Sequence, residues 1–148
     1  MILLCYDGSS SAKHAIAFAH SVFGSEPVTL LHVWSPPFPS ADSFGLGTMP
    51  IEPSFGALER FAHQRADEIA QQGCELARST GLSVQARVEV SPASTWRTIL
   101  DVADELNADC IVVGTRGVTV VQSALLGSVS NAVVHHSRRP VLVVPERD

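Results

Sequence analysis

The stretch Cys110–Pro145, CIVVGTRGVTVVQSALLGSVSNAVVHHSRRPVLVVP, holds the pattern from which the fold can be read. A short apolar run, Cys110–Val113, ends at Gly114. After a glycine-bearing segment, Leu125, Val129, Ala132, Val133 and His136 recur at the spacing of one helical face, and a second apolar run follows between Pro140 and Pro145. Short continuous apolar runs are the signature of strands buried on both faces, and the three-and-four spacing is that of an amphipathic helix. The unit is therefore strand, crossover helix, strand, which pairs in parallel.

The same alternation runs back to the first residue. Ile2–Tyr6 is an apolar run closed by Asp7-Gly8-Ser9; Ser9 to Ser11 offer helix-capping hydroxyls, and Ala12, Ala15, Ile16, Ala19 and Phe23 make one helical stripe. Pro27–Trp34 reads as a second strand, with its proline at the tolerated first position. Between Ser35 and Gly56 stand Pro36, Pro37, Pro39, Pro50 and Pro53 with neither a helical nor a strand period, so a long irregular excursion is expected there. A helix is predicted over Ala57–Thr80, stopping at Gly81, and Leu82–Val90 alternates apolar with polar residues as a strand near a sheet edge does. Ser91-Pro92 is a suitable N-cap and first-turn pair for a third helix bearing Trp96, Ile99, Leu100, Ala103 and Leu106. The fold class is α/β: one domain over residues 1–148, with a doubly wound parallel sheet and helices on both faces. In such a sheet ligands bind beyond the carboxyl ends of the strands, where the strand order reverses.

Composition narrows the functions. The chain has 148 residues, 45% of them hydrophobic and 17% charged, in the range of a folded domain of this length. A formal net charge of −5 lacks the electropositive footprint of nucleic-acid binding, so no nucleic-acid partner is expected. No apolar run approaches a membrane span, and the first ten residues have neither the basic leader nor the length of a signal peptide. Cys5, Cys74 and Cys110 are odd in number and without CxxC spacing, pointing to a reducing, cytoplasmic setting and to core thiols.

The glycines give the first indication of a ligand. Gly114 ends a strand, Gly117 follows after two residues, and Gly127-Ser128 follows after nine more, where the last helix begins. The first turn of a helix leaves backbone N–H groups unpaired at the positive end of the macrodipole, a ready anion site. Ser128 and Ser130 add hydroxyls beside the amides of Val129 and Ser130, and Arg116 adds a positive charge. No lysine stands between Gly114 and Ser130, so the GxxxxGK[ST] pattern is absent and equipment for cleaving a phosphate is not apparent. The competing reading is structural: Gly114 only ends a strand and Gly127-Ser128 only caps a helix. Asp7 is likewise open between capping the first helix with Ser9 and meeting a sugar hydroxyl or a cation. No HExxH, GxSxG or other catalytic spacing involves the six histidines, and His32, inside an apolar strand, reads as a satisfied core residue. Trp96 reads as core, and Arg138 and Arg139 as cations complementing the end of the last helix.

Taken together, GTRG, nine residues and then GS resemble the G-2x-G-9x-G(S/T) signature of the universal stress protein family in its ATP-binding branch. YDGS after the first strand, LLHVW, ADCIVVGTRG and LLGSVSNAVVHHSRRPVLVVP extend the resemblance over nearly the whole chain. It implies a Rossmann-like sheet of the adenine nucleotide alpha hydrolase type, in the order 3-2-1-4-5, and a homodimer paired through the last strand, residues 140–145. It also implies an ATP-binding regulatory or stress-response protein with little or no hydrolysis. Asp7 would lie by the ribose and phosphates or a bound Mg²⁺, with Cys5 and Tyr6 beside it in the nucleotide site. The backbone of Val33 would meet adenine, Val113 and Gly114 would floor the nucleotide, Gly117 would admit the phosphates, and Gly127, Ser128, Val129 and Ser130 would cradle them. The alternative is a dimeric interaction module of the same fold that binds no nucleotide, a reading that the apolar segment Val118–Val121 favours.

Overall fold

A computed structural model describes residues 1–36, 55–91, 93–115 and 126–146. The elements are β1 Ile2–Cys5, α1 Ser10–Phe23, β2 Val28–Trp34, α2 Phe55–Ser79, β3 Val84–Val90, α3 Thr95–Glu105, β4 Cys110–Gly114, α4 Ser128–His136 and β5 Val141–Val144. All strand pairs are parallel and the order is β3-β2-β1-β4-β5, as the resemblance implied. The excursion over 35–56 and the apolar Val118–Val121 fall largely or wholly outside the described residues.

The period of two in the strands sorts the core into two layers. Ile2, Leu4 and Tyr6 of the first strand and its exit, with Val28, Leu30 and Val112, face α1 and α2. Leu3, Leu31, Ile111 and Val113 face the other way, against Ile99, Val102 and Ala103 of α3 and Val133 of α4. Each large aliphatic side chain removed from water in this way contributes about 1.5–3 kcal/mol. Helices on both faces explain why β1 and β4 read as unbroken apolar runs. β3 lies at the sheet edge, as its alternation predicted: Val84 and Val88 pack inward. On its opposite face Arg87 forks onto Glu105 at the end of α3, at 3.1 and 2.7 Å.

The ends of elements differ from the sequence reading in instructive places. α1 is capped by Ser9, whose Oγ accepts from the Ala12 amide, as expected. α2 begins at Phe55, two residues before the predicted Ala57. α3 begins at Thr95 with Ser94 as N-cap, not at Ser91-Pro92. The reason is that Ser91 still belongs to the sheet: its amide donates to the Trp34 carbonyl at 2.7 Å, carrying the β2–β3 ladder past Val90. Arg139 does not serve the end of α4; its guanidinium donates to Asp104 Oδ1 at 2.9 Å and the Ala108 carbonyl at 2.6 Å, tying the last loop to α3 and the turn before β4. Trp96 is half-buried, its ring stacked on His136 with centroids 4.5 Å apart, so it joins α3 to α4 at the rim of the core. His32 is buried and satisfied, Nδ1 lying 2.8 Å from the Tyr6 carbonyl.

α2 approaches the sheet on small residues: Ala66, Ala70, Cys74 and Ala77 are buried. A Cβ at Gly73 would fall 2.6 Å from the Tyr6 ring and 2.9 Å from Leu30 Cδ1. Gly73→Ala is therefore expected to destabilise the protein by about 1–3 kcal/mol, the usual result of overpacking a filled core, read as a lower urea midpoint at unchanged slope.

Candidate functional site

β1 is flanked by β2 and β4, so the chain order reverses beside it, and the helices α1 and α4 pack on opposite faces of the sheet. A cleft opens between them at the carboxyl ends of the strands. Its lining includes Cys5, Tyr6 and Asp7 from the end of β1, Val33 from β2, Val113 and Gly114 from β4, and Gly127, Ser128, Val129 and Ser130 from the start of α4. All the site residues read from the sequence thus meet in one cleft, apart from Gly117, which lies outside the described residues with Arg116.

The cleft has two chemically different ends. Leu31, Val33, Ile99, Val113 and Val129 make an apolar slot that continues the core layer beneath α3 and α4. Asp7 and residues 127–130 make a polar end. Gly127 is the N-cap of α4, with extended backbone at φ −66° and ψ 159°. The amides of Ser128, Val129 and Ser130 precede the first helical bond, which Asn131 donates to the Gly127 carbonyl at 2.9 Å. With the positive end of the helix behind them they form a donor set for an anion.

Three residues play roles that the sequence did not specify. Gly114 lines the cleft, but a Cβ on it would fall 2.6 Å from Ser11 Oγ and 3.0 Å from the Ala12 amide nitrogen. Its lack of a side chain serves the seating of α1 against β4. Ser130 is 4% exposed, and its hydroxyl donates inward to the carbonyls of Thr115 and Gly127, each at 3.0 Å, so the free donor expected there is instead a lock joining the two sides of the glycine segment. Asp7 Oδ1 accepts from the Ser9 amide at 3.0 Å, securing the turn into α1, where the Ser9 hydroxyl caps the helix. Only one carboxylate oxygen is engaged by that bond, leaving Oδ2 for another contact.

Desolvation beneath the cleft, with the Asp7 carboxylate nearby, pushes the Cys5 thiol up to about 12, so it stays protonated at neutral pH and is no nucleophile. Burial, followed by the same carboxylate, also raises the Tyr6 phenol. Among the described residues no group of three or more His, Cys, Asp or Glu side chains could hold a metal ion. Ala12, Leu31, Thr95 and Ile99 also line the cleft and were missed in the sequence. The available signal was general: α3 starts on the same edge of the sheet as the other strand exits, but no motif marks which of its residues lean over β2.

The profile of the Universal stress protein family matches residues 1–145. A universal stress protein of Thermus aquaticus is 38% identical over 150 residues, covering 97% of this chain and 96% of the relative. Among solved structures, the protein MJ0577 superposes with a TM-score of 0.77 at 25% identity, over 99% of this chain and 96% of that one. The Archaeoglobus fulgidus universal stress protein solved in complex with dAMP gives 0.69 at 22% identity, over 97% and 95%. A universal stress protein in complex with cAMP gives 0.64 at 19%, over 99% and 96%.

Ser130→Ala would leave the Thr115 and Gly127 carbonyls without their hydroxyl partner. Both carbonyls keep a backbone donor, the Gly127 and Asn131 amides, so a loss of about 0.5–1.5 kcal/mol in urea unfolding is expected, the net worth of an ordinary hydrogen bond.

Proposed function

This chain belongs to the universal stress protein family, and on that premise we propose that the cleft between the ends of β1 and β4 binds an adenine nucleotide, ATP in particular. The observation that carries the reading is the junction, in one cleft, of an apolar slot with the amides that open α4. A purine is flat and apolar on its faces, and a phosphate chain needs several convergent donors; the cleft offers the two side by side. Relatives of the same fold solved with dAMP and cAMP support the class of ligand.

In this reading the amides of Ser128, Val129 and Ser130 hold the phosphates, with Gly127 leaving the approach open and Gly117 in the adjoining segment. Val113, Gly114, Cys5 and Tyr6 floor the nucleoside, and the Val33 backbone meets the base. Asp7, through the oxygen not bonded to Ser9, binds the ribose or a Mg²⁺ carried by the phosphates. With one protein carboxylate, such an ion takes its other oxygens from nucleotide and water, the usual habit of Mg²⁺. Among the described residues lining the cleft there is no lysine, and in this reading the nucleotide acts as a regulatory ligand with little or no turnover. The chain works as one domain, since both core layers share one sheet.

Two measurements check this. Ser128→Asp places a carboxylate at the first turn of α4, which favours the helix by about 0.3–1 kcal/mol but repels a phosphate in the same place. Calorimetry should show Mg-ATP binding to the wild type and its loss in the variant, with the unliganded melting temperature unchanged or raised; a wild type silent at millimolar nucleotide ends the proposal. The second concerns assembly. β5 is an edge strand, and since the Pro140 and Val144 carbonyls turn to β4, Val143 presents its amide outward. We propose a homodimer through this edge. Sedimentation at micromolar concentration should give twice the chain mass for the wild type and the chain mass for Val143→Pro, which deletes one outward donor and leaves the β4–β5 ladder intact.

A further inference from the structure

The start of α3 carries more hydrogen-bonding capacity than the protein uses. Ser91 Oγ is buried, with no partner among the described residues. Ser94, the N-cap of α3, makes no side-chain capping bond, in contrast to Ser9 of α1. Thr95 lines the cleft, and among the described residues its hydroxyl has no hydrogen-bond partner. Thr98, one turn on, has turned its own hydroxyl back to the Ser94 carbonyl at 3.5 Å. Thr95 is half-buried and sits one turn before Ile99, which is 2% exposed, so the two share one helical face. That face leans over the end of β2, on the apolar side of the cleft and on the same face of the sheet as α4. An unbonded hydroxyl at the margin of an apolar slot is a group that orients a ligand: it contributes little until its partner arrives, and then discriminates strongly against ligands that lack that partner.

We infer that Thr95 is a specificity-determining residue, its hydroxyl accepting a hydrogen bond from the exocyclic amine of the adenine while Ile99 packs on the ring. This rests on the nucleotide reading of the cleft. A hydroxyl oxygen accepts through two lone pairs, and the amine is the group that separates adenine from an unsubstituted purine of the same shape. Phosphate contacts at α4 are common to both ligands, so they cancel in the comparison.

The test is a cycle between residue and ligand. Wild type, Thr95→Val and Thr95→Ser are each titrated with ATP and with purine riboside 5′-triphosphate, which lacks the amine. The wild type should prefer ATP by about tenfold, the loss expected for one hydrogen bond. Thr95→Val, of the same shape, should lose that preference by weakening ATP alone, and Thr95→Ser should keep it. A Thr95→Val variant that weakens both ligands equally, or retains the full preference, overturns the assignment while leaving nucleotide binding in place. A wild type that binds neither ligand removes the nucleotide reading and the assignment with it.

Discussion

The architecture of the cleft depends on one close approach. The first turn of α1 is seated against the last residue of β4, so that the space a side chain on Gly114 would fill is taken by Ser11 and Ala12. The β1–β4 ladder sets the ends of the two strands side by side, although most of the chain separates them, and this contact fixes the start of α1 over them. It draws α1 onto one face of the sheet, while α4, which follows β4, is held by its own apolar stripe on the other. Two helices held on opposite faces leave the crevice between them at the ends of the strands. A larger residue at 114 would move α1 outward and with it Asp7, whose carboxylate is bound to the turn that leads into the helix.

The two ends of the cleft have different physical origins. Its apolar slot is the upper layer of the α3–α4 core, left open where the strands end, so its shape is fixed by packing that the fold requires in any case. The polar end is made of main-chain amides, whose positions are set by the helix and need no side-chain ordering. Ser130 secures this end. By donating to the carbonyls of both Thr115 and Gly127 it holds the two sides of the glycine segment together and fixes the direction in which α4 starts. A donor set fixed before the ligand arrives avoids the ordering entropy that flexible side chains would lose on binding.

The same geometry explains the quietness of the ionisable groups. Cys5 lies under the slot and is desolvated, which keeps its thiol neutral, and Asp7 is engaged on one oxygen by a backbone amide. Among the described residues lining the cleft, neither has a basic partner.

By itself the sequence determined the element order, the parallel sheet and the end of it at which the cleft opens, because periods of two and 3.6 and the spacing of Gly114 and Gly127-Ser128 are local properties of the chain. It also identified His32 as a satisfied core residue and Ser9 as a cap, since an apolar strand and a helix start each restrict what a polar group can do. Tertiary structure alone decided the function of individual groups. Whether Gly114 serves a ligand or a helix, whether the Ser130 hydroxyl points outward or inward, where the sheet hands over to α3 at Ser91, and that Thr95 and Ile99 wall the cleft all depend on contacts between residues far apart in sequence. Such contacts are fixed by how the layers pack, and no local spacing encodes them.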